Sequence, residues 1–234
     1  MGRIKTFIDG FDAHLGGGIP EGHIVLLCGT PGTMKSTVGY YILWHNAKER
    51  GLKGSYISLE QDEPGLVSQM DALGMKREEV REKMGVLDVG RLRRETKDFG
   101  WKKGKMDIIK TLIEEEKKRL KFDLMVLDSL NIQELMSPGE DKRIDIFDFF
   151  GWLKELKCTS LVISEMLIED REFGRHGAGF LSDGIFLLSL DRVDEIHRRR
   201  RITCMKMRGT AHSTDSFALI LKDGRLIATE AILE

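Results

Sequence analysis

Several short stretches of the chain are apolar without polar alternation. HIVLLCG, SYISLE, FDLMVLDSL and SLVISEM each carry such a run, which predicts strands buried on both faces, the first over 24–28. Between them the pattern changes to a helical period. STVGYYILWHNAKERG places apolar Val38, Tyr41, Ile42 and Trp44 on one side, and Gly51 supplies a stop. Pro64 opens a helix expected to run to Gly74. Residues 105–121 put Ile108, Ile109, Leu112, Ile113 and Leu120 on one face, and 143–157 form another amphipathic helix. Residues 7–22 are rich in glycine and turn formers. Residues 76–104 are highly charged, with VLDV (86–89) as a short strand. From Gly184 onward the pattern reads as strands and turns: IFLLSL, RRITCMKMR, FALIL and RLIA. Strands alternating with helices predict an α/β fold, a mostly parallel sheet covered by helices. No internal repeat, low-complexity tract or linker interrupts the pattern, so the expectation is one domain over 1–234.

Composition adds bounds. The chain has 234 residues, 41% hydrophobic and 32% charged, with a formal net charge of -1. That is ample for a packed core, and no global field draws it to nucleic acid or membrane. Asn and Gln are scarce beside the charged residues, a composition that leans towards a thermophile. Three cysteines without C-x-x-C spacing argue against a disulfide framework and a zinc site. Without a signal-like segment or a long apolar run, the expected location is the cytoplasm.

The segment with most chemistry in it is GTPGTMKST (29–37). It departs by one residue from G-x-x-x-x-G-K-[ST], the loop that cradles nucleotide phosphates, because Met34 stands where the second glycine belongs. The candidate contacts are Gly29, Thr30, Pro31, Gly32, Thr33, Met34, Lys35, Ser36 and Thr37. Lys35 would reach the β and γ phosphates, and the Ser36 hydroxyl would hold Mg²⁺. The glycine usually supplies a positive φ, which costs a methionine on the order of 1–2 kcal/mol.

Other residues extend this constellation. Asp128 ends the apolar strand FDLMVLD, where it would help Ser36 to hold Mg²⁺. Glu60 ends SYISLE and could activate the attacking water, or it could be an acid stabilising the following helix. In RRITCMKMR a strict alternation puts Ile202, Cys204, Lys206 and Arg208 on one face. Lys206 and Arg208 could steady a phosphoryl group or contact nucleic-acid phosphates, or simply carry the charge of an edge strand. The run HRRRR (197–201), preceded by acids, reads as a solvated hairpin tip.

Taken together, these stretches resemble the KaiC-type branch of the RecA-like ATPases. The likeness rests on GFDAHLGGGIPEG, GTPGTMKST, YISLEQDEPGLVSQMDALG, FDLMVLDSL, HGAGFLSDGIFLLSL and KMRGTAHS, in that order. It implies a RecA-like core, ATP or ADP with Mg²⁺, and a homo-oligomeric ring, usually a hexamer, with nucleotide between neighbours. It also implies that Lys206 and Arg208 of a K-x-R motif reach the adjacent subunit's γ phosphate, with Thr210 and His212 following them. The chain departs from the family at Met34 and at Gln61, where a second glutamate usually follows Glu60. It carries one such domain where the clock protein KaiC has two, so clock function and autophosphorylation are not carried over. The expected activity is slow, Mg²⁺-dependent ATP hydrolysis. The alternatives are an ATP/ADP-sensing module with incidental hydrolysis, and a DNA-binding ATPase similar to archaeal RadB using loops 137–143 and 169–177.

Overall fold

The apolar runs become the centre of a nine-stranded sheet. The computed structural model describes residues 2–95, 105–129, 142–166, 173 and 177–230. Strands β1 (Arg3–Ile4) and β2 (Ile19–Pro20) form a small antiparallel pair. The main sheet contains β3 (Ile24–Gly29), β4 (Gly54–Ser58), β5 (Met84–Asp88), β6 (Leu124–Asp128), β7 (Thr159–Glu165), β8 (Gly184–Arg192), β9 (Arg198–Met207), β10 (Ser216–Lys222) and β11 (Arg225–Glu230). Their spatial order is β11-β10-β9-β8-β3-β7-β6-β4-β5. Strands β8 through β5 in that order are mutually parallel, and β9, β10 and β11 add antiparallel hairpins. The expected α/β architecture, with antiparallel strands towards the C-terminus, is the observed one.

Alternate residues of each central strand feed two apolar layers. Val25 and Leu27 face one, while Ile24, Leu26 and Cys28 face the other. The second layer is closed by α4 (Lys105–Leu120) through Ile109 and Ile113, and by α5 (Lys142–Glu155) through Ile146, Phe149 and Leu153. The first is closed by α1 (Lys35–Arg50) and by the N-terminal segment around Ile4, Ile8, Phe11 and Leu15. Among the described residues the remaining α-helices are α2 (Glu63–Ala72), α3 (Val89–Glu95) and the single turn α6 (Ala178–Leu181).

Helix α1 departs from the one-sided stripe read in the sequence: every residue from Val38 to Trp44 is buried. The N-terminal segment wraps its outer side. The Tyr41 hydroxyl donates to the Phe7 carbonyl at 3.1 Å, and the Asn46 amide donates to the Lys5 carbonyl at 2.7 Å. A helix covered by a sheet inside and by chain outside has no solvent face to keep polar. Cys28, Cys158 and Cys204 are free and buried.

Two local readings are corrected. The second strand ends at Ser58 rather than at Glu60. Its Ser58 hydroxyl donates to the Gln61 carbonyl and accepts from the Gln61 N–H at 3.1 Å, closing a turn that carries Glu60. The alternation of β9 is also broken. Ile185 pairs with Lys206 while Phe186 pairs with Cys204, so Met205 is an extra residue, a β-bulge. Lys206 therefore leaves the face shared by Ile202 and Cys204, and Met207 turns into the core instead. Of VLDV, expected as a strand over 86–89, residues 86–88 belong to β5 and Val89 opens α3.

Candidate functional site

The loop between β3 and α1 turns sharply. Gly32 has φ +84° and Met34 φ +73°, so the methionine adopts the left-handed conformation that glycine ordinarily supplies. Its side chain is not idle, since it packs against the first apolar layer. The helical hydrogen bonds of α1 begin with the Val38 N–H donating to the Met34 carbonyl at 2.9 Å. The amides of Lys35, Ser36 and Thr37 precede that ladder and have no acceptor within the helix, a general anion site. The loop is braced internally by Thr33 Oγ1 and Lys35 Nζ, donating to the Thr30 carbonyl at 2.8 and 3.0 Å.

Beside the loop is a cleft of about 410 Å³. Pro31, Gly32, Met34, Lys35, Ser36, Thr37, Glu60 and Asp128 line it, joined by Gln61, Ile163 and Glu165. The three carboxylates come from the carboxyl ends of β4, β6 and β7, as a parallel sheet with one crevice requires. Lys35 is only 8% exposed. Burial pulls its ammonium down from the usual lysine range, and Glu165, Asp128 and Glu60 oppose that shift. Burial likewise pushes the Asp128 carboxyl up, against hydrogen bonds from Tyr56 and Ser36 that favour the anion. Glu60 is exposed, and its Oε1 accepts from the Ser129 hydroxyl at 2.7 Å. It does not cap α2; that role falls to Asp62, which accepts from the Gly65 N–H at 3.0 Å. An ammonium, a hydroxyl, carboxylates and free helix-end amides around one crevice are the donor set that suits a nucleotide with a divalent ion.

Lys206, Arg208 and His212 are elsewhere. Strand β9 runs antiparallel to β8, so its C-terminal end lies beside the start of β3, where Val25 pairs with Gly184 and Gly184 with Met207. Arg200 of the same strand reaches the phosphate loop, donating to the Gly32 carbonyl at 3.1 Å. Lys206 follows Arg200 by six positions, one of them the Met205 bulge, so strand geometry sets them roughly 17–20 Å apart at ~3.3 Å per residue. At that far end Lys206 Nζ donates to the carbonyls of Gly179, Phe180 and Ser182 at 2.9, 3.3 and 2.6 Å. Arg208 donates to the Phe180 carbonyl at 2.9 Å and pairs with Asp183 at 3.2 Å. Burial alone would push Asp183 up, but the Ile24 N–H and Lys154 hold it below its ordinary range. The two cations thus point the same way, as expected, but via the bulge. His212 Nδ1 lies 3.1 Å from the Thr210 carbonyl near this end.

Two residues at the cleft carried no assignment in the sequence. Glu165 had the same signal as Asp128, an apolar strand ending in an acid. Arg200 had none, since the HRRRR run is a surface charge until β9 pairs with β8. Arg198 to Arg201 lie in β9, and the hairpin turn precedes them. The proposed DNA loops 137–143 and 169–177 fall largely outside the described residues. Among the described residues no helix is long and apolar enough to cross a membrane, and no cluster of His, Cys, Asp and Glu has the arrangement of a metal site.

This topology, with a phosphate-type loop after its first central strand, defines a RecA-like protein. Residues 4–231 match the model of the KaiC ATPase family, and the chain belongs to that family. It is 32% identical over 218 residues to a UPF0273 protein of Thermotoga maritima, covering 90% of this chain and 89% of the relative. A UPF0273 protein of Pyrococcus furiosus is 30% identical over 246 residues, covering 96% and 93%. The crystal structure of a KaiC-like protein from the hyperthermophilic archaeon Pyrococcus horikoshii superposes with a TM-score of 0.82 at 26% identity, covering 97% of this chain and 98% of that one.

Proposed function

We propose that residues 1–234 form one slow, Mg²⁺-dependent ATPase unit that works in a homo-oligomeric ring, a hexamer by analogy with its family. The observation that carries this reading is the division of the candidate residues between two places. Lys35, Ser36, Glu60 and Asp128 share a cleft, while Lys206 and Arg208 stand at the opposite end of β9 from Arg200, which touches the loop. Residues so far apart serve one phosphoryl group only if a second copy brings its far edge to the first copy's cleft.

In this mechanism the loop amides and Lys35 hold the β and γ phosphates of ATP. Ser36 and Asp128 would hold Mg²⁺, which when bound neutralises phosphate charge and orients the γ group. Glu60, steadied by Ser129, accepts a proton from the attacking water. Lys206 and Arg208 of the neighbour exchange their own carbonyl partners for the transferred phosphoryl group, and His212 joins them at the nucleotide. Gln61 lines the cleft where the family has a second carboxylate, which supports slow turnover.

The test is the particle size measured with and without ATP and Mg²⁺ alongside phosphate release. A ring that assembles with nucleotide and releases phosphate is expected. Tight nucleotide binding without phosphate release would favour a second reading, an ATP/ADP sensor. Gln61 and the occupied state of Lys206 and Arg208 support that alternative.

A further inference from the structure

Tyr56 lies in the middle of β4, wholly buried in the layer beneath α1. A phenylalanine would fill that space without a polar atom to desolvate, so the hydroxyl calls for a reason. It donates to Oδ2 of Asp128. The Ser36 hydroxyl makes contact with the same two groups. Tyr40 packs against Tyr56, with ring centroids 5.7 Å apart, yet the Tyr40 hydroxyl has no hydrogen-bond partner among the described residues. Two buried tyrosines therefore sit side by side, and only one is wired to the cleft.

We propose that Tyr56 is a positioning residue for the divalent ion: from the neighbouring strand β4 it fixes the Asp128 carboxylate and, with it, Ser36. The inference rests on the reading of the preceding subsection. Held at Oδ2 by Tyr56, the Asp128 carboxylate keeps one orientation at the edge of the cleft. Outer-shell donors of this kind are worth about 10–100-fold in metal affinity.

The experiment titrates Mg²⁺ into the full chain with ADP, and ADP into the chain with EDTA, by calorimetry. For Tyr56→Phe the Mg²⁺ concentration that tightens ADP binding should rise about tenfold or more, with the EDTA affinity unchanged within about twofold. Tyr40→Phe should leave both unchanged. In an Asp128→Asn background, Tyr56→Phe should have no further effect on the Mg²⁺ requirement. Wild-type Mg²⁺ dependence in Tyr56→Phe, or an equal loss with EDTA, overturns the inference while leaving the nucleotide site intact. Failure of the wild type to bind ADP under either condition sinks the proposed function and this inference with it. If Tyr56→Phe does not fold, wild-type proton NMR decides. The hydrogen-bonded tyrosine hydroxyl should shift when Mg²⁺ joins ADP and not with ADP alone, and no shift overturns the inference.

Discussion

At the carboxyl end of β3, Lys35 is 8% exposed and lies among Glu60, Asp128 and Glu165. At the opposite end of the neighbouring strands the Arg208 side chain is 51% exposed and rests on Asp183 and a carbonyl. The first cation has been taken out of water by its own chain, so its charge acts in a medium of low effective dielectric. The second is still about half in water, and solvent screening weakens its pair with the buried Asp183. Partial burial and the adjacent Arg208 pull the Lys206 ammonium below its ordinary range, a mild version of what happens at Lys35. The contrast is that folding itself takes the cation at one end of the sheet out of water, whereas it leaves the cations at the other end partly solvated.

The largest expected effect breaks the comparison at its exposed end. Lys206→Ala with Arg208→Ala should lower phosphate release about 10³-fold while nucleotide binding by a single subunit persists. Mixing this variant with Lys35→Ala, which should bind no nucleotide, is expected to restore part of the activity, because a sound loop on one copy then meets sound cations on another. Phosphate release in titrated mixtures measures this, and no recovery at any ratio would rule out sharing of the site.

At the Lys35 end, Glu60→Gln should keep ATP affinity and lower single-turnover hydrolysis about 10²-fold. Unchanged turnover would remove Glu60 from the chemistry. A smaller effect concerns stability on α1, the helix that carries the loop. Among the described residues neither ring nitrogen of His45 has a hydrogen-bond partner, and burial pulls its pKa below the ordinary 6.5. Glu49 and Asp9 oppose that shift, while Lys48 and Arg225 add to it. The unfolded chain protonates His45 first, so stability is full above about pH 6.5 and falls as the pH drops. In His45→Phe, denaturant midpoints measured between pH 7 and pH 5 should lose part of that fall. The smallest effect belongs to Met34→Gly. Relief of about 1–2 kcal/mol of left-handed strain is offset by lost packing and by a more flexible unfolded chain. ADP affinity should stay equal or tighten by less than about tenfold; a weaker affinity would mean that the thioether itself supports the loop.

The central strands, α1, α4 and α5 were legible because their apolar runs and helical periods reflect burial, which local sequence records directly. That Asp128 and the 29–37 loop would meet was legible because strand ends in a parallel sheet converge on one edge, whereas Glu60 reaches the same cleft from a turn two residues beyond β4. Glu165 carried the same signal and was passed over, since a strand ending in an acid means little until its neighbours in the sheet are known. The bulge at Met205 was invisible, as one extra residue changes no local pattern yet reverses the side on which Lys206 emerges.

By itself the sequence determined the fold class and placed the residue types of the loop between β3 and α1, since both follow from short-range patterns of burial and residue type. Only the tertiary structure decided which residues share the cleft. It brought Arg200 to the loop, set Tyr56 beside Asp128 and left Lys206 and Arg208 at the far edge. Those outcomes depend on strand order, register and direction, which are set by the packing of the whole sheet and not by any one segment.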